Sequence, residues 1–162
     1  MNVMKRFDVV ALGELLIDFT ENGKSAQGNP LFEANPGGAP CNVLAMLGKL
    51  GRSAAFVGKV GDDMFGRQLK TAAADAGICL DGLVMDADAH TTLAFVQTLA
   101  NGDRDFSFYR DPGADMLLRA GELPEALIGS ARIFHFGTLS MTHEGVRQAT
   151  VRAIELDRKS VV

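Results

Sequence analysis

Between Asn35 and Gly66 the chain alternates glycine punctuation with apolar runs, and that alternation restricts the folds open to it. Asn35-Pro36-Gly37-Gly38-Ala39-Pro40-Cys41-Asn42-Val43-Leu44-Ala45 sets a glycine pair before a helical stretch. Val43, Met46, Leu47 and Leu50 follow the i, i+3, i+4, i+7 spacing, and Gly51 closes a helix predicted from Asn42 to Leu50. Ala54 to Val60 reads as a strand. Asp62 is expected to cap a second helix in which Phe65, Leu69, Ala72, Ala73 and Ala76 share a face, ending at Gly77. A strand between two helices, each stopped by glycine, is the unit from which parallel sheets are built.

The flanking sequence extends this pattern. Phe7 to Gly13 is an apolar run ending in glycine and reads as a buried first strand; Leu15 to Phe19 continues extended, with Asp18 its one charge. Glu21 to Leu31 is polar and reads as a loop or hairpin tip. Ile78 to Met85 is short and extended. Thr91–Leu99 and Asp105–Arg110 are β-rich and flank Asn101-Gly102-Asp103, a hairpin turn signal. A turn at Pro112-Gly113, a short helix near Glu122 to Leu127 and a strand from Ala131 to Phe136 follow. Thr142 caps a predicted helix from His143 to Arg158 with Val146, Ala149, Ala153 and Leu156 inward. The expected fold is α/β: a mainly parallel sheet flanked by helices, carrying extra antiparallel strands. Lys159-Ser160-Val161-Val162 reads as the start of another strand, so the chain is expected to stop within a domain.

A chain of 162 residues suits one domain with a real core. Its formal charge of −4, with no basic stripe interleaved with aromatics, argues against nucleic acid as partner. The longest apolar runs fall short of the roughly 20 residues needed to cross a bilayer, and the N-terminus lacks a signal-peptide pattern. Cys41 and Cys79 form no CxxC pair, which fits reduced thiols in a cytoplasmic protein.

Four positions carry candidate chemistry. Gly37 and Gly38 let backbone N–H groups approach a ligand without an intervening Cβ, the following helix N-terminus adds partial positive charge, and Asn42 offers a donor and an acceptor to a hydroxyl. A lone glycine pair more often makes a tight turn before an N-cap. Asp18 can accept two hydroxyls at once; its plain alternative is a turn cap. Glu14 and His135 read as structural. No cluster has metal-ligand spacing, no Gly-x-x-x-x-Gly-Lys-[Ser/Thr] loop occurs, and the first strand is not followed by Gly-x-Gly-x-x-Gly, which argues against a dinucleotide-binding domain.

The segment Gly37 to Gly66 resembles the first signature of the PfkB/ribokinase family of sugar kinases. Asn-Pro-Gly-Gly-Ala-Pro-x-Asn-Val is most similar to the fructokinase branch, and Ala39 stands where ribokinases carry Lys. The resemblance implies a ribokinase-like fold, with residues 1–162 forming the N-terminal part of a single sugar-kinase domain and lid strands near 14–35 and 91–110. It places Asp18, Gly37, Gly38 and Asn42 on the sugar. Phe95, Phe108 and Arg110 either face the sugar from the lid or serve as lid core and, for Arg110, as a surface salt bridge. It further implies ATP and Mg2+ for the complete enzyme and a homodimer paired through the lid. The family's base comes from a second signature, Asp-Thr-x-Gly-Ala-Gly-Asp; Gly113-Ala114-Asp115 echoes it but reads as a turn, so the family base is expected beyond the C-terminus and no catalytic residue is assigned. The implied reaction is phosphoryl transfer from ATP to fructose. The alternatives are a 2-keto-3-deoxygluconate or nucleoside kinase, or a sugar-binding module that does not react.

Overall fold

A strand covered on both faces must be apolar throughout, and β1 (Phe7–Leu12) has Val9, Val10, Ala11 and Leu12 all buried. In the computed structural model, which describes residues 5–98 and 101–159, β1 lies inside a four-stranded sheet ordered β5-β4-β1-β8. It pairs with β4 (Ala54–Gly61) and β8 (Ala131–Phe136), β4 pairs in turn with β5 (Ile78–Asp86), and every pairing is parallel. Helices α1 (Ala39–Lys49) and α2 (Met64–Asp75) cover the face carrying Val9, Ala11 and Phe56. Helices α3 (Glu125–Gly129) and α4 (Glu144–Lys159) cover the face carrying Val10, Leu12 and Val57, with Val146, Ala149 and Ala153 buried as their spacing predicts. The expected residues Leu99 and Ser160 to Val162 lie outside the described ones.

Four more strands form a second sheet, ordered β3-β2-β6-β7. They are β2 (Leu16–Lys24), β3 (Pro30–Gly37), β6 (Leu93–Thr98) and β7 (Arg104–Tyr109). The polar stretch read as a loop or hairpin tip is the turn end of the β2–β3 hairpin, with strand reaching further into it than expected: Glu21 to Lys24 extend β2, and Pro30 and Leu31 open β3. The sheet is also mixed rather than antiparallel, because β2 and β6 pair parallel. Both strands leave the same end of the main sheet, one after β1 and one after β5, so they run side by side in one direction.

Three further expectations shift on contact with the packing. Asp63, not Asp62, caps α2: its carboxylate accepts from Gly66 N–H at 2.8 Å and from the Thr91 hydroxyl and N–H, both at 2.8 Å. Helix α1 begins three residues early, since Pro40 suits a first turn and Gly38 enters it at φ +114°. It also buries a different face. Pro40, Cys41 and Leu44 point into the core, while Val43, Met46 and Leu50 are exposed, Leu50 at 68%. The buried side packs on β1 and β4, and its Gly48 passes close to the residue that ends α2: a Cβ there would stand 2.7 Å from the Ala76 carbonyl oxygen. Lys59, in β4, is buried and bridges Asp86 at 3.2 Å and Glu122 at 2.7 Å, tying β4, β5 and the 3-10 helix Ala120–Glu122 together. Among the described residues no helix is long and apolar enough to cross a membrane.

Candidate functional site

In open α/β sheets ligands bind outside the carboxyl ends of the strands. Here that end of β1 runs straight into Gly13-Glu14-Leu15 and then β2, and the elbow between β3 and α1 folds over this link. Gly38 is glycine for two reasons. Its φ of +114° disfavours a side chain, and a Cβ there would strike the Glu14 carbonyl oxygen. Gly37 is glycine for a third: its Cβ would occupy the space of the Asp18 carboxylate.

That last contact brings the sequence-predicted residues together. Asp18 and Gly37 touch, and Gly38 leads directly into the first turn of α1. Asn42 lies in that turn, exposed, with its N–H donating to the Gly38 carbonyl at 3.0 Å. Asp18 is half-buried, and burial pushes its pKa above the ordinary aspartate range. Its carboxylate has no hydrogen-bond partner among the described residues, so its acceptor capacity faces the space in front of the elbow.

Strand register extends the site across the second sheet. Asp18 pairs with Asn35 on one side and Ala94 on the other, and Ala94 pairs with Phe108. Paired residues share a face, so Asn35, Asp18, Ala94 and Phe108 form one row spanning all four strands. Asn35 is fixed there by its Nδ2 donating to the Thr20 hydroxyl at 2.8 Å. Phe95 lies on the opposite face. It stacks on Phe19 at 4.9 Å between centroids, meets Phe32 and Tyr109 edge-on, and belongs to the sheet's own core. Of the two phenylalanines considered from sequence, Phe108 alone shares the face of Asp18.

Arg110 follows β7 at the root of this sheet. Its Nε donates to Asp115 Oδ2 at 2.8 Å and its Nη2 lies 2.6 Å from the same oxygen, while Nη1 and Nη2 reach the Thr142 hydroxyl and the Leu139 carbonyl at 3.4 Å each. The guanidinium is 11% exposed and Asp115 is buried, so this is no surface salt bridge. Asp115 also accepts from the Thr92 hydroxyl at 2.5 Å. Sequence reasoning took Asp115 for a turn residue. It sits in the 3-10 helix Ala114–Leu117 and anchors the second sheet to the first. No local pattern marks such a role, since its partners Thr92 and Arg110 lie on two different strand ends.

Glu14, read from sequence as structural, is buried in the structure. It is 3% exposed, and its Oε1 accepts the Ala39 N–H at 2.9 Å. Neighbouring Cys41 is buried, and burial together with the Glu14 charge pushes its thiol up to about 12.

The fold thus defines an open α/β protein, a four-stranded parallel sheet between helices with a second, mixed sheet attached. A sequence model described as pfkB family carbohydrate kinase matches residues 6–160, and the chain belongs to that family. It is 49% identical over 154 residues to fructokinase-1 of Oryza sativa subsp. japonica, covering 94% of this chain and 48% of that protein. The crystal structure of fructokinase from Xylella fastidiosa superposes with a TM-score of 0.88 at 37% identity, over 94% of this chain and 48% of that one. Halothermothrix orenii fructokinase gives a TM-score of 0.83 at 28% identity, over 94% and 54%. The chain spans about half the length of the curated relatives it matches.

Proposed function

We propose that this chain provides the sugar-binding part of an ATP-dependent fructose kinase. One observation carries the reading: the Asp18 carboxylate lies against Gly37, at the mouth of the α1 N-terminus, so one hexose can meet acid and elbow together. Asp18 accepts two hydroxyls, the glycine elbow brings backbone amides to the ring, and Asn42 supplies a donor and an acceptor. The second sheet acts as a lid over the sugar, presenting Phe108 from the same face as Asp18 and excluding water. Arg110 reaches the sugar through Nη1, whose bond to Thr142 is long at 3.4 Å, while Nε stays on Asp115. The identities with fructokinases of plants and bacteria support fructose as the acceptor.

Mg2+ and ATP belong to the complete reaction. Among the described residues no group of three His, Cys, Asp or Glu side chains is placed to hold a metal ion, and no step through the nucleotide is assigned to these residues. Calorimetry of the chain with fructose tests the reading. Binding that Asp18→Ala abolishes supports it; absence of binding by the wild-type chain overturns it.

A further inference from the structure

Glu14 Oε2 is a buried oxygen with no hydrogen-bond partner among the described residues. Such atoms are rare in folded proteins and call for a reason. The carboxylate is wedged between two segments. On one side Oε1 holds the Ala39 N–H, a first-turn donor of α1 that would otherwise have no acceptor, and the Glu14 carbonyl oxygen fills the space a Gly38 Cβ would need. On the other side lies Gly137, the residue that follows β8 and donates its N–H to Leu12 O at 3.0 Å. Gly137 has φ −84°, which any residue adopts, so its backbone does not demand glycine. Space does: a Cβ there would stand 2.9 Å from Glu14 Oε2 and 2.9 Å from Pro40 Cγ. The negative charge also faces the positive end of α1, which offsets the missing donor on Oε2.

We propose that Glu14 is the positioning residue of the elbow, capping α1 from outside the helix, and that Gly137 is glycine to leave Glu14 its place. The elbow's part in sugar binding rests on the reading given under Proposed function; the capping geometry does not.

The test combines fructose calorimetry with hydrogen exchange and chemical shift of the Ala39 amide, on the whole chain. Glu14→Ala is expected to weaken fructose binding about tenfold, the factor matching one lost cap bond, and to speed Ala39 exchange. Glu14→Gln keeps an acceptor on Ala39 and is expected to stay within about threefold of wild type in both readouts. Gly137→Ala pushes a methyl against Oε2 and Pro40 Cγ and is expected to weaken binding, but to weaken it less in the Glu14→Ala background, where only the Pro40 contact remains. Ile128→Val, in the core on the other side of the sheet, serves as a general destabiliser that leaves both readouts unchanged. Unchanged fructose affinity in Glu14→Ala, or strict additivity with Gly137→Ala, overturns the proposal. If the wild-type chain gives no heat with fructose, the sugar reading fails separately and the Ala39 amide decides: unaltered exchange in Glu14→Ala overturns the capping role, and exchange raised there but restored in Glu14→Gln upholds it.

Discussion

Asp18 sits less comfortably folded than unfolded when ionised, because burial removes water from its carboxylate and no donor among the described residues replaces it. The sign follows. A raised folded pKa means the native state holds this proton more tightly, so the group's contribution is best at low pH. It declines as pH climbs from the ordinary aspartate value through the raised one, and stays diminished above. Asp18→Asn should flatten that decline in melting temperature as pH rises above the ordinary aspartate range, while weakening fructose binding by roughly 10- to 100-fold through loss of charged hydrogen bonds. A variant that is both less stable at neutral pH and unimpaired in binding would contradict this assignment. Cys41 makes a second residue-level case. With its thiol held near 12 by burial and Glu14, it should resist iodoacetamide at neutral pH and react only on unfolding, as mass spectrometry of the Cys41 peptide would reveal.

At the level of elements, α2 depends on its first turn. Burial pushes the Asp63 carboxyl up, but hydrogen bonds from Thr91, Gly66 and Phe65 outweigh it, and its pKa lies below the ordinary range. That stability is present above the ordinary aspartate pKa and fades as pH falls through the lower folded value. Asp63→Ala should cost about 1 kcal/mol or more in urea denaturation, because the cap is lost and Thr91 loses its acceptor too. The same elements mark how far sequence reading carries. The elbow was legible, since Gly37, Gly38 and the apolar run after them are local signals. The inward face of α1 was not: the helix carries apolar residues on more than one side, and packing on the distant strands β1 and β4 decides which side is buried. The end of β2 and start of β3 were hidden because both faces of that hairpin are polar and solvated, which removes the alternation that betrays a strand. Asp115 was hidden because burial is a property of assembled elements.

For the whole molecule, the main sheet stops at β8, where Ile133 is 61% exposed, and α1 carries the outward row Val43, Met46 and Leu50. Apolar surface of this kind draws molecules together. Sedimentation should show concentration-dependent association, reduced by Met46→Glu or Ile133→Glu; association unaffected by both variants would place the contact elsewhere. Residues 1–162 do not contain the Asp-Thr-x-Gly-Ala-Gly-Asp pattern. A coupled assay should accordingly detect no fructose-dependent ATP turnover by the purified chain, even where calorimetry detects the sugar. Asp18 rides on the small sheet, whereas α1 is seated on the large one through Cys41 and Leu44. Any twist of the small sheet about Arg110 and Asp115 therefore changes the gap between the acid and the helix, which on the proposed function hold one hexose between them. Affinity and hinge angle become a single variable, and loosening the root at Thr92 should be felt as a faster escape of sugar from a pocket whose own residues are untouched.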